Sequence, residues 1–136
     1  MKGKYKVLVV EEEEGLLKSL KEALEGEGYG VETAAGALEG LEKVKGEKYH
    51  IVLMDAGLSG MGGIELLKAV KSYDALTQVI MMSGNATMEN ILNALEYGAN
   101  DYLLKDSLSP REVIGAVDSS VQKLERWREA ILRIVK

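Results

Sequence analysis

Three short stretches of the chain are apolar at every position: Val7-Leu8-Val9-Val10, Ile51-Val52-Leu53-Met54 and Val79-Ile80-Met81-Met82. Unbroken, β-branched runs of this length predict strands buried on both faces, the habit of parallel sheets. Two weaker strand candidates span Gly30 to Thr33 and Asp101 to Leu104. Between them the apolar residues fall at helical spacing. Leu16, Leu17, Leu20, Ala23 and Leu24 form a stripe that stops near Gly26 and Gly28. Leu38, Leu41 and Val44 form a second, ended by Gly46; Ile64, Leu67, Ala69 and Val70 form a third, starting after Gly63. Ile91, Leu92, Ala94 and Leu95 form a fourth, ended by Gly98. Ser109-Pro110-Arg111-Glu112 opens the last helix with an N-cap hydroxyl, a proline at the first helical position and a capping-box Glu.

The order is strand then helix, five times. Such alternation needs right-handed crossovers and predicts an α/β, doubly wound (βα)5 sandwich with a parallel sheet covered on both faces. No linker rich in Gly, Pro or Ser divides the chain, and no internal repeat is visible.

Composition narrows the function. The 136 residues suit one domain, and nearly half are hydrophobic, enough to bury a core. A formal charge of -5 argues against a direct nucleic-acid binder, which needs surplus Lys and Arg. The absence of Cys excludes disulfides and thiolate metal sites. No apolar run approaches the roughly 18 residues of a membrane span. Met1-Lys2-Gly3-Lys4 leads straight into the first strand without a signal-peptide pattern, so a cytoplasmic protein is expected. Phe is absent and Pro110 is the only proline.

In open α/β sheets ligands bind beyond the carboxyl ends of the strands. Strand 1 runs into Glu11-Glu12-Glu13-Glu14, strand 3 ends in Asp55, strand 4 in Ser83 and strand 5 in Lys105. Carboxylates without nitrogen or sulfur ligands suit a hard divalent cation such as Mg²⁺. A carboxylate beside that cation can attack a phosphoryl group, with metal, Lys and hydroxyl stabilising the phosphoryl oxygens. Each residue also has a bland reading: the Glu run as a solvated patch, Asp55 and Ser83 as turn chemistry, Lys105 as a surface cation. The joint pattern favours the chemical one. His50, the only histidine, precedes a strand and has no second His or thiol to share a metal, so it reads as a surface or turn residue.

These residues carry a family likeness. Lys6 to Glu13, Ile51 to Asp55, Gly60-Met61-Gly62-Gly63-Ile64-Glu65-Leu66-Leu67, Val79 to Gly84 and Gly98 to Lys105 resemble, in order and spacing, the receiver domain of bacterial two-component response regulators. The chemotaxis-type receiver is the nearest pattern. The likeness covers residues 5 to about 125, dividing the chain into a receiver domain (1-125) and a C-terminal extension of the last helix (126-136). It implies the flavodoxin-like strand order 2-1-3-4-5. It also implies Asp55 as phosphoacceptor for a sensor histidine kinase, Glu11 and Glu12 as the acidic pair with Glu12 the direct Mg²⁺ ligand, and Gly57 as carbonyl donor to the metal. Ser83 and Lys105 would contact the phosphoryl group, and Tyr102 would be the aromatic switch that moves with Ser83. Such a domain is a signalling phosphoacceptor rather than an enzyme, at most catalysing its own phosphotransfer and dephosphorylation, and it acts on an output domain or effector.

The chain departs from that family at the site. Both members of the acidic pair are Glu, usually Asp-Asp or Glu-Asp, so weakened Mg²⁺ binding is expected. Ser59 stands where a proline is usual, Gly62 where an Asp is common, and Lys105-Asp106-Ser107 replaces a Lys-Pro-Phe whose Lys-Pro bond is normally cis. A cis bond before a residue other than proline costs about 3 kcal/mol, so a trans loop with a displaced Lys105 is expected. A degenerate receiver acting as a phosphorylation-independent interaction module is the alternative reading. A flavodoxin-type carrier is disfavoured because four Glu after strand 1 would repel a phosphate, and no G-x-G-x-x-G follows that strand. In the last helix Val117, Leu124 and Ile131, with Ser120, Trp127 and Ile134, repeat at seven residues, which suggests a dimerising helix or a linker.

Overall fold

The structure, a computed structural model, describes residues 2–135. The apolar runs form the strands β1 (Lys6–Val10), β3 (Ile51–Asp55) and β4 (Gln78–Ser83), and the weaker candidates form β2 (Gly30–Ala34) and β5 (Asp101–Leu104). The five strands are parallel, in the order β2-β1-β3-β4-β5. Helices α1 (Glu14–Gly26), α2 (Ala37–Gly46), α3 (Gly63–Tyr73) and α4 (Met88–Glu96) supply the four crossovers, and α5 (Pro110–Val135) follows the last strand.

Alternation along each strand divides the core into two layers. Val7, Val9, Ile51, Leu53, Ile80 and Met82 face α1 and α5, where Leu20, Leu24, Val113, Val117 and Leu124 cover them. Leu8, Val10, Val52, Met54, Val79 and Met81 face α2, α3 and α4, against Leu66, Leu67, Val70 and Ala94. Both faces of β1, β3 and β4 are thus fully used, which is why those strands read as unbroken apolar runs.

Two helical stripes pack differently from their sequence pattern. On α2 the buried residues are Ala37 and Gly40, while Leu38 is exposed. Gly40 explains it: a Cβ there would lie 3.1 Å from Val10 Cγ2, so the helix approaches the sheet on its smallest residues. On α4 only Ala94 is fully buried, and Leu92 and Leu95 face solvent.

Helix ends follow local chemistry. Gly28 and Gly98 take positive φ after α1 and α4, letting the Tyr29 N–H reach back to Leu24 O and the Ala99 N–H to Ala94 O. The Ser109 hydroxyl accepts the Glu112 N–H at 3.2 Å, and the Thr87 hydroxyl accepts the Asn90 N–H at 3.1 Å. The former cap was legible; the latter, opening α4, was not singled out.

Candidate functional site

The register fixes the site before any side chain is considered. Val10 lies beside Met54, Asp55 beside Met82, and Ser83 beside Leu104. Glu11, Asp55, Ser83 and Lys105 therefore end or follow neighbouring strands on one edge of the sheet.

Asp55 is buried, and both its oxygens are occupied. Oδ1 accepts the Gly57 N–H at 3.1 Å, and Oδ2 lies 3.1 Å from the Lys105 ammonium. The same ammonium stands 2.7 Å from Glu11 Oε1, although that contact lacks hydrogen-bond geometry and leaves the oxygen otherwise unpartnered. Glu11 is only 1% exposed, and its Oε2 accepts the Glu13 N–H at 3.0 Å. Burial opposes charge on Lys105, but the contacts with Glu11 and Asp55 outweigh it and hold the ammonium above the ordinary lysine range. One cation thus faces two buried carboxylates. Ser83 is buried beside them, and its hydroxyl accepts the Asn85 N–H at 3.1 Å. A single small cleft is lined by Asp55, Gly57, Ser83, Asn85, Asn90 and Lys105. Asn85 and Asn90 escaped the sequence reading, which had no signal for them beyond lying after strand 4.

The expected displacement of Lys105 is not observed. No cis peptide occurs among the described residues, and Lys105 opens a short 3-10 turn, Lys105–Ser107, with Asp106 exposed. The lysine reaches Asp55 because both carboxylates draw it inward and its flexible stem tolerates the altered backbone.

The four consecutive glutamates occupy four environments. Glu11 is buried on Lys105. Glu12 turns the other way: its carboxylate accepts the Ser59 N–H at 3.1 and 3.2 Å and the Ser59 hydroxyl as well. The Glu13 side chain caps α1 by accepting the Leu16 N–H at 3.3 Å, and Glu14 lies in the first helical turn. The bland expectation of a solvated patch fits Glu14 best.

Oxygen donors of this kind suit a hard cation, and the buried Glu11 Oε1, which has only the Lys105 ammonium against it, is the sort of atom such an ion can also satisfy. Glu11 and Asp55 are already together, Gly57 adjoins Asp55, and Glu12 is held apart by Ser59. No cluster of three metal-binding side chains is assembled among the described residues.

The β3–α3 loop is shaped by glycine. Gly62 has φ 84 and ψ 159, a region essentially closed to other residues, so the Gly found where an Asp is common is what this backbone needs. Gly63 leaves no room for a Cβ, which would fall 2.7 Å from Ala56 Cα and O.

Tyr102 is half-buried against the α2–α4 side of the core, and its hydroxyl is buried without a partner. His50 is more than a turn residue. Its Nδ1 accepts the Lys6 N–H at 2.9 Å, its ring meets Tyr5 edge-on, and burial lowers its pKa. It is a structural latch at the opposite edge of the sheet, far from the cleft.

A doubly wound α/β domain with an acidic, lysine-bridged cleft at its topological switch edge is the class that fold and site define. Residues 7–118 match the family model of the response regulator receiver domain, and the chain belongs to that family, a signalling family of two-component systems. YkoG, an uncharacterized transcriptional regulatory protein of Bacillus subtilis, is 35% identical over 73% of this chain and 43% of its own length. PhoP of the same organism, an alkaline phosphatase synthesis transcriptional regulatory protein, is 33% identical over 88% of this chain and 50% of its own. The chain thus spans about half the length of the curated relatives it matches. Among solved structures, a CheY-like receiver domain protein from Methanospirillum hungatei JF-1 superposes with a TM-score of 0.87 at 34% identity, covering 90% of this chain and 97% of that one. The chemotaxis response regulator CheY4 of Vibrio cholerae gives a TM-score of 0.79 at 26% identity, over 85% and 98%. No helix among the described residues is long and apolar enough to cross a membrane.

Proposed function

We propose that this receiver domain takes a phosphoryl group on Asp55 from the phosphohistidine of a sensor histidine kinase. The observation that carries the reading is the meeting of Asp55, Ser83 and Lys105 in one cleft, with the buried Glu11 carboxylate against the same lysine. In the transfer an Asp55 carboxylate oxygen attacks phosphorus, the bond from phosphorus to the imidazole nitrogen breaks, and the imidazole leaves with its electron pair. Lys105 moves with its charge from the Asp55 oxygen to a phosphoryl oxygen. The Gly57 N–H holds the other carboxylate oxygen, so that one oxygen is oriented for attack. The Ser83 hydroxyl, which only accepts a bond at present, has its proton free to donate to the incoming group. Mg²⁺ held by Glu11, Glu12, Asp55 and the Gly57 carbonyl would neutralise charge on the phosphoryl oxygens.

The readout follows from Ser83 and Tyr102. A Ser83 side chain drawn toward Asp55 vacates space beside β5, and Tyr102 has no hydroxyl bond to lose in changing place. The neighbouring face carries the exposed Leu92, Leu95 and Leu104, whose affinity for an output domain or effector would shift as in a biased two-state element. The apolar positions Trp127, Ile131 and Ile134 on the outer half of α5 would serve pairing with a second copy or continuation toward an output domain. A cytoplasmic location accords with a kinase donor. The lysine-bridged cleft supports phosphotransfer over the phosphorylation-independent module.

Incubation with acetyl phosphate and Mg²⁺ followed by intact mass measurement tests the proposal. The expected result is a gain of one phosphoryl group that disappears in Asp55→Ala. No gain, or a gain that survives the substitution, refutes it.

A further inference from the structure

We propose that Ser59 is a positioning residue for the cation site: it withholds Glu12 from that site and thereby sets how tightly this domain binds Mg²⁺. The inference rests on the reading above that Asp55 and its neighbours bind the ion.

The geometry is specific. Glu12 lies in the β1–α1 loop and Ser59 in the β3–α3 loop, so the contact spans the mouth of the site. Ser59 offers two donors to one carboxylate. Its N–H lies 3.1 Å from Oε1 and 3.2 Å from Oε2, and its hydroxyl also reaches Oε2. The contact is exposed, so water weakens each bond, but three donor contacts on one carboxylate still compete with a cation for the same oxygens. A proline at 59 could supply neither donor. The longer reach of Glu over Asp carries the carboxylate across to the second loop. Two of the departures at the site therefore act together: the second Glu of the acidic pair, and the Ser in place of proline.

Glu11 and Glu12 make the consequence visible. They are sequence neighbours, yet Glu11 is paired with Lys105 and Glu12 with Ser59. An ion entering beside Asp55 meets two carboxylates at once, and the third only after Ser59 has let go. Binding must then release the tie between the two loops, so metal uptake and loop freedom are coupled.

The test is Mg²⁺ titration by isothermal calorimetry on six chains: the parent, Ser59→Ala, Ser59→Pro, Asp55→Asn, Glu12→Gln and the double variant Glu12→Gln with Ser59→Ala. Ser59→Ala keeps the N–H and should tighten binding about threefold, and Ser59→Pro, which loses both donors, about tenfold. Ser59→Ala keeps the test valid if the proline variant folds poorly. In a Glu12→Gln background the Ser59→Ala effect should vanish, because there is no carboxylate left to withhold. A second readout needs no affinity: the Ser59 amide proton resonance should move sharply upfield on adding Mg²⁺ to the parent, as its bond to Glu12 opens. Binding that is lost in Asp55→Asn but unchanged in both Ser59 variants overturns the latch and leaves the cation site standing. A Ser59 effect that persists without the Glu12 carboxylate also overturns it. Absence of Mg²⁺ binding in every chain overturns the site reading and the latch together.

Discussion

At the amino-terminal edge of the sheet, charge is matched. Lys6 pairs with Glu32 at 3.0 Å and with Glu47, Lys48 pairs with Asp74, and the Tyr49 hydroxyl donates to Glu32 at 3.0 Å and Glu47 at 3.3 Å. Even the strand-starting N–H of Lys6 is taken up by His50. At the carboxyl-terminal edge one ammonium serves two buried carboxylates, a buried tyrosine hydroxyl goes without a partner, and Glu12 is parked on a loop. The amino-terminal end is thus matched in its charges, with the buried Gln78 Oε1 left without a partner, while at the other end the shortfall falls on carboxylates around a single cation. Unspent binding capacity at one end is what a ligand can use; the matched end supplies the rigidity that keeps it in place.

Lys105→Met gives the largest expected departure between the edges. It strips the one cation that Glu11 and Asp55 meet among the described residues, and should cost about 2–3 kcal/mol, somewhat below the loss from a wholly enclosed pair because the side chain is 22% exposed. Urea unfolding measures it. Lys48→Met at the matched edge removes an exposed pair and should cost only about 0.5 kcal/mol. Equal losses would erase the contrast. The pH dependence agrees in sign: since Lys105 is held above its ordinary 10.5, its contribution is complete below that value and is lost as pH rises through the higher folded-state value.

Two tyrosine-to-phenylalanine changes sharpen the comparison. Tyr49→Phe deletes a hydroxyl bonded to Glu32, whose burial and carboxylate neighbour push its pKa up to about 12, and should destabilise by about 1 kcal/mol. Tyr102→Phe deletes a buried hydroxyl that has no bond and should be neutral or stabilising by a similar amount. A thermal melt that ranks them the other way would sink the assignment of satisfied and unsatisfied edges.

The smallest effect is expected at His50. Burial first, then the positive charges of Arg128 and Lys48, lower its pKa from about 6.5. The unfolded chain therefore binds the proton more readily, so this contribution is complete above the ordinary value and fades as pH falls through it. A proton on Nδ1 would also prevent it from accepting the Lys6 N–H. The prediction is a loss of some tenths of a kcal/mol between about pH 7 and pH 5 that flattens in His50→Gln, read from unfolding midpoints across that range.

The strands were legible because burial on both faces leaves an apolar signature that solvent exposure never dilutes. The strand ends were legible for a related reason: polar residues that directly follow a buried run have few places to go. What the linear order could not express was direction. Nothing in Glu11-Glu12-Glu13-Glu14 says that four like side chains turn to a lysine, a serine, a helix end and water. Ser59 entered the sequence reading only as a missing proline, and its role depends on a carboxylate 47 positions away. The displacement expected of Lys105 failed because a local backbone preference was weighed without the two acids that attract its tip. Leu38 and Leu92 were misplaced because small residues on the same helices make the closest approach to the sheet.

Helix α5 continues from Pro110 to Val135 without a break, though its last core residue is Leu124. The stretch beyond it is a cantilever of about 17 Å at 1.5 Å per residue. A beam clamped at its root converts a small tilt of the clamp into a larger sweep of the tip, and it also transmits torsion: each residue added or removed would turn whatever it carries by about 100°. On the function proposed above, the domain would dictate an aiming direction as well as a chemical state, and the phase of that arm would matter as much as the surface beside Tyr102.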